Sequence, residues 1–88
     1  MARFELLIKP SARRELERIR ERDRREELVG AIRCLATNPR PAGCQKLSGA
    51  DHLWRIRCGD YRVIYELLDR VLTITVIRIG HRRDVYRG

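Results

Sequence analysis

Apolar residues recur along this chain with two different periods, and the change of period divides it in two. Residues 4–8 (FELLI) form a short strand-compatible run that stops at Lys9-Pro10, where proline suits the first turn of a helix. Beyond Ser11, a candidate N-cap, Ala12, Leu16 and Ile19 fall at i, i+4 and i+7 with charged residues between them, the spacing of one helical face. A second stripe, Leu28, Val29, Ile32, Leu35 and Ala36, follows the charged stretch 20–27 and ends at Asn38-Pro39. Residues 39–51 carry two prolines and two glycines and read as a loop with Leu47 as its apolar plug. The period then drops to two in Leu53–Cys58, Tyr61–Leu68 and residues 71–79, separated by the turns Gly59-Asp60 and Asp69-Arg70. The pattern predicts an α+β domain: an N-terminal strand, a helical hairpin, then a three-stranded antiparallel meander. All strands join one sheet with the helices on one face, and a short C-terminal tail follows.

A two-residue turn at Gly59-Asp60 fixes a register, placing Cys58 opposite Tyr61, Arg57 opposite Arg62, Ile56 opposite Val63 and Arg55 opposite Ile64. Alternation then puts Trp54, Ile56, Cys58, Tyr61, Val63 and Tyr65 on the face under the helices. The other face receives Arg55, Arg57, Arg62, Ile64 and Glu66, and across the second turn Thr73, Thr75 and Ile77. Like charges opposite each other on a sheet repel, at a cost comparable to the ~0.2–1 kcal/mol of ordinary cross-strand pairs. Two readings stand: the arginines splay into water, or the face binds an anion that turns repulsion into attraction.

Length and composition narrow the choice. At 88 residues the chain holds one domain, 1–88, with a small core, so its chemistry must lie on the surface of that core. Lysine and arginine total 20 against 12 aspartate and glutamate, a formal net charge of +8, and Lys9 and Lys46 are its two lysines. Guanidinium grips phosphate through paired hydrogen bonds, so the excess points to nucleic acid; a GC-rich genome accounts for arginine over lysine but not for the net charge. Cys34, Cys44 and Cys58 have no C-x-x-C spacing and leave one thiol over, which argues against a disulfide framework and for a reducing compartment. Neither a leader pattern nor a run of ~20 apolar residues is present, so the expectation is a soluble cytoplasmic protein with no membrane association. Two distant histidines and scattered cysteines lack metal-ligand spacing, and no cofactor is expected.

The strings LWRIRCGDYRVIYEL (residues 53–67) and IRIGHRRDVYR (residues 77–87) resemble the signature of the RelE branch of the RelE/ParE toxin superfamily, and the element order resembles that family along essentially the whole chain. The resemblance implies a RelE-like fold and a ribosome-dependent endoribonuclease, an mRNA interferase that cuts messenger RNA in the ribosomal A site by 2′-hydroxyl attack on the scissile phosphate. It implies that Arg62 and Arg82 contact the scissile phosphate and leaving group, that Arg83 adds to the RNA-binding charge, and that Tyr86 stacks on a base. Tyr86 has a competing role as an aromatic anchor of the tail. Arg55 and Arg57 stand where well-known members carry two lysines. Arginine, with a pKa above ~12, is a poor proton acceptor. The base therefore stays open between electrostatic stabilisation of the alkoxide by Arg57 and proton acceptance by His81 or Glu66. The implied partners are mRNA, the ribosome and an acidic RelB-like antitoxin. Two alternatives remain: a gyrase-directed toxin of the ParE branch, and a basic RNA-binding module without catalysis.

Overall fold

A computed structural model describes residues 3–81. The chain runs β1 (Glu5–Ile8), α1 (Pro10–Glu17), α2 (Arg22–Cys34), β2 (Gln45–Lys46), β3 (Leu53–Cys58), β4 (Tyr61–Leu68), a 3-10 turn (Asp69–Val71) and β5 (Thr73–His81). The strands form one five-stranded sheet in the order β1-β5-β4-β3-β2. β3, β4 and β5 are the expected antiparallel meander, and β1 runs parallel to β5 after the two helices have crossed one face. That crossing is what a parallel pair requires, since a tight turn cannot reverse the chain twice.

Both helical stripes are buried as their spacing predicts. Ala12, Leu16 and Ile19 from the first, with Leu28, Ile32, Leu35 and Ala36 from the second, are all 9% exposed or less. They pack on Ile56, Val63, Tyr65, Leu67, Ile74, Val76 and Ile79 from the sheet, making one core on one side. Pro10 is the first residue of α1, where its missing N–H costs nothing. Lys9, not Ser11, is the N-cap of α1, so Ser11 lies inside the first turn.

Three further details differ from the pattern-based expectation. Within residues 39–51, Gln45 and Lys46 pair with Arg55 and Trp54 as a fifth, edge strand, while Leu47 is only half-buried. The second hairpin turn is longer than Asp69-Arg70: Leu68 pairs with Thr73 across four residues, and Leu72 takes a left-handed φ of 49°. A shift of two residues preserves alternation, so Thr73 and Thr75 stay on the face predicted for them. Finally, Tyr65 pairs with Val76 but Ile64 pairs with Arg78, so Ile77 is the extra residue of a β-bulge. Arg78 thereby stands opposite Ile64 on the open face. The bulge also resets the pleat so that Ile79, 1% exposed, joins the core opposite Val63.

Candidate nucleic-acid interface

The first hairpin register is as expected, from Cys58 opposite Tyr61 to Arg55 opposite Ile64. Gly59 has φ 59°, a conformation glycine adopts without strain, and a Cβ there would lie 2.8 Å from Nη1 of Arg24. The turn is therefore both tight and closely backed by α2.

Pairing on both sides of β4 arranges the open face in rows. Arg57, Arg62 and Gly80 make one row; Gln45, Arg55, Ile64 and Arg78 make the next; Leu53, Glu66, Thr75 and Leu7 follow. Four arginines thus occupy two adjacent rows at the end of the sheet that carries the Gly59-Asp60 turn. Neighbouring strands lie roughly 4.8 Å apart, so the arginines of each row are near neighbours on the sheet. Arg62 and Ile64 are each 8% exposed although, among the described residues, no helix covers this face. Arg57 is exposed, and Arg55 is half-buried and donates a hydrogen bond to Gln45 Oε1 from the edge strand.

Glu66 lies on the same face, one row further from the turn. His81 does not: it pairs with Tyr61, and the two rings meet edge to face at 5.9 Å and 78° on the pleat that faces the helices. Of the residues singled out in the sequence, Arg55, Arg57, Arg62 and Glu66 come together, and His81 stands on the opposite side of the strand. Arg82, Arg83 and Tyr86 lie outside the described residues. Arg78 and Gln45 are additions. The signal for Arg78 is the spacing of Ile74, Val76 and Ile79, which breaks strict alternation after Val76 and marks a bulge. Nothing in the sequence marks Gln45, whose pairing depends on where the loop docks.

A second cluster anchors the loop that bears β2. Tyr65 Oη donates to the Pro39 carbonyl at 2.6 Å, and burial pushes its phenol well above the ordinary range. Arg40 binds Asp69 with both terminal nitrogens, at 2.6 and 3.2 Å, and its guanidinium lies 5.0 Å from the Trp54 ring centre. That bidentate bond holds the Asp69 carboxyl below its usual range. Trp54 and Tyr65 thus act as supports behind the arginine face. Among the described residues no group of three or more His, Cys, Asp or Glu side chains is placed to hold a metal ion, and no helix is long and apolar enough to cross a membrane.

Comparison with known proteins gives the family. The profile described as "ParE toxin of type II toxin-antitoxin system, parDE" matches residues 6–86. Searching curated protein sequences returned no match. Among solved structures, the archaeal RelE–RelB complex from Pyrococcus horikoshii matches with a TM-score of 0.81 at 24% identity, covering 100% of both chains. The intact RelBE toxin–antitoxin complex of E. coli matches with a TM-score of 0.75 at 26% identity, covering 91% of this chain and 96% of that one. The YoeB/ParE toxin from Agrobacterium tumefaciens matches with a TM-score of 0.75 at 19% identity, covering 89% and 98%. The first and last of these speak for the fold alone.

Proposed function

The chain belongs to the ParE toxin family of type II toxin–antitoxin systems, and from that premise we propose that it is a ribosome-dependent endoribonuclease that cuts messenger RNA in the ribosomal A site. The observation that carries the reading is the pair of rows Arg57-Arg62-Gly80 and Arg55-Ile64-Arg78 on the open face. Guanidinium groups set side by side in this way suit a phosphate, which each can grip through paired hydrogen bonds.

In this reading the ribose 2′-oxygen attacks the adjacent phosphorus, the P–O5′ bond breaks, a 2′,3′-cyclic phosphate forms, and the 5′-oxygen takes a proton from water to leave as a hydroxyl. Arg62 and Arg78 hold the non-bridging oxygens, whose negative charge grows in the transition state. Arg57 lowers the cost of the 2′-alkoxide by charge, and the proton passes to Glu66, the acceptor on the same face, rather than to His81 across the strand. Arg55, steadied by Gln45, adds charge behind Arg57. Arg82 and Tyr86, which follow Gly80-His81 in the sequence, contact the leaving group and stack on a base, with Arg83 contributing charge to the RNA strand. An acidic RelB-like antitoxin neutralises the same cations, and the site of action is the cytoplasm.

A second reading is favoured by the family profile itself: a toxin of the ParE branch that poisons gyrase. Primer-extension mapping of transcripts incubated with purified protein separates the two. The expected result is new 5′ ends that require ribosomes and vanish in Arg62→Ala. Breaks in supercoiled DNA with gyrase and intact transcripts would establish the second reading instead. Transcripts and DNA both left intact would sink both and favour a non-catalytic RNA-binding module.

A further inference from the structure

β1 stops pairing at Ile8 opposite Val76, so among the described residues β5 from Ile77 to His81 runs on without a strand on that side. The vacated edge is taken by α1, whose Glu15 Oε1 accepts a hydrogen bond from the Ile79 amide at 3.1 Å. Arg25 Nη1 donates to the Ile19 carbonyl at 2.8 Å and so holds the connection between α1 and α2. Between that connection and the end of the sheet lies a groove of about 410 Å³. Tyr61 and His81, in edge-to-face contact, line it together with Arg18 and Arg20. Both arginines are exposed, and neither is ion-paired with a described residue. Gly80 belongs to both surfaces: it lines the groove and it stands opposite Arg62 on the open face. It carries no side chain to separate the two.

We propose that this groove is a second nucleotide subsite, which takes the nucleotide next to the one whose phosphate rests on Arg57 and Arg62. The inference rests on the RNA-cleavage reading and extends it to a place on the helix side of the sheet. The base stacks on the Tyr61–His81 pair, and the phosphate meets Arg18 and Arg20. Stacking on aromatic rings with arginine at the backbone is the general way single-stranded RNA is held. The groove is large enough for one nucleotide. Glu21, also on the groove wall, accepts hydrogen bonds and offers none. It can accept from the exocyclic amine of adenine, cytosine or guanine and equally from the ring N–H of uracil, so it selects no one base.

The test is a fluorescence titration of the full chain, without ribosomes, using A-A-A, C-C-C and U-U-U RNA trinucleotides. A-A-A is expected to bind more tightly than C-C-C or U-U-U, because the larger purine ring stacks over more aromatic surface. Arg18→Ala with Arg20→Ala is expected to weaken A-A-A by about tenfold, and the exposed His81→Ala by about fivefold. Circular dichroism confirms that each variant is folded. Arg57→Ala serves as the reference for the open face. If Arg57→Ala weakens binding and the groove variants do not, the subsite is wrong and the cleavage reading survives. If none of them matters, both are wrong. If the groove variants lose affinity for an acidic peptide but keep it for RNA, the groove docks protein and the subsite is overturned.

Discussion

Arg57 and Arg62 face each other across β3 and β4 with Arg55 and Arg78 in the adjoining row, a placement that stability alone does not favour. Arg57 is exposed at the strand end, so replacing it with threonine removes like-charge repulsion and introduces a good strand former. Arg57→Thr is expected to raise unfolding stability in urea by about 0.2–1 kcal/mol while lowering ribosome-dependent cleavage. A variant that is both stabilised and fully active would remove Arg57 from the site. The opposite holds behind the sheet, where Tyr65 is fully buried and its hydroxyl holds Pro39. Tyr65→Phe keeps the ring and loses that bond, with an expected destabilisation of about 0.5–1.5 kcal/mol in the same titration. This partition of roles was legible in the sequence: alternation from the Gly59-Asp60 turn separates the arginines from Ile56, Val63 and Tyr65. The tie to Pro39 was not, because the partner is 26 residues away and local pattern carries no trace of it.

At the level of elements, legibility follows how local each pairing is. The first hairpin was readable because a two-residue glycine turn leaves one register. The second was not, because its four-residue connection relies on Leu72 in a left-handed conformation, where glycine or asparagine is the usual signal. β2 is a two-residue edge strand, and Gln45 and Lys46 have no periodicity to betray it. The bulge matters most for the site, since the extra residue Ile77 brings Arg78 opposite Ile64 and returns Ile79 to the core. Deleting Ile77 removes the extra residue and leaves Arg78 opposite Ile64 and Ile79 opposite Val63 in unbroken alternation. The expected outcome is that cooperative thermal unfolding is retained, checked by circular dichroism. Loss of cooperative unfolding would mean that the sheet needs the bulge itself and not only the faces it sets.

Charge acts on the molecule as a whole, first through pH and then through salt. The Arg40 bond holds the Asp69 carboxyl below its ordinary range, so its contribution to stability is present above roughly pH 4 and is lost as pH falls through the lowered value. Burial raises the Cys58 thiol and the Tyr65 phenol, so their contributions are complete below roughly pH 8.5 and pH 10 and decline as pH rises through those unfolded-state values. Thermal midpoints should therefore fall at both extremes, with Asp69→Asn flattening the acid limb and Cys58→Ala the start of the alkaline one. Salt tests the functional claim more sharply. With a net charge of +8 some attraction to RNA is general, but a phosphate held by a fixed set of cations releases counterions in proportion to their number. If the four arginines of the open face engage single-stranded RNA, the slope of log K against log salt is about −0.7 for each, or roughly −3 together. A rise from 50 to 200 mM salt then weakens binding by on the order of fiftyfold. Arg57→Ala should make the slope shallower by about 0.7, because one contact is gone. Diffuse attraction behaves differently: removing one charge from the whole surface lowers affinity a little and leaves the slope nearly unchanged. An unaltered slope in Arg57→Ala would therefore assign RNA binding to net charge and take it away from the arginine rows.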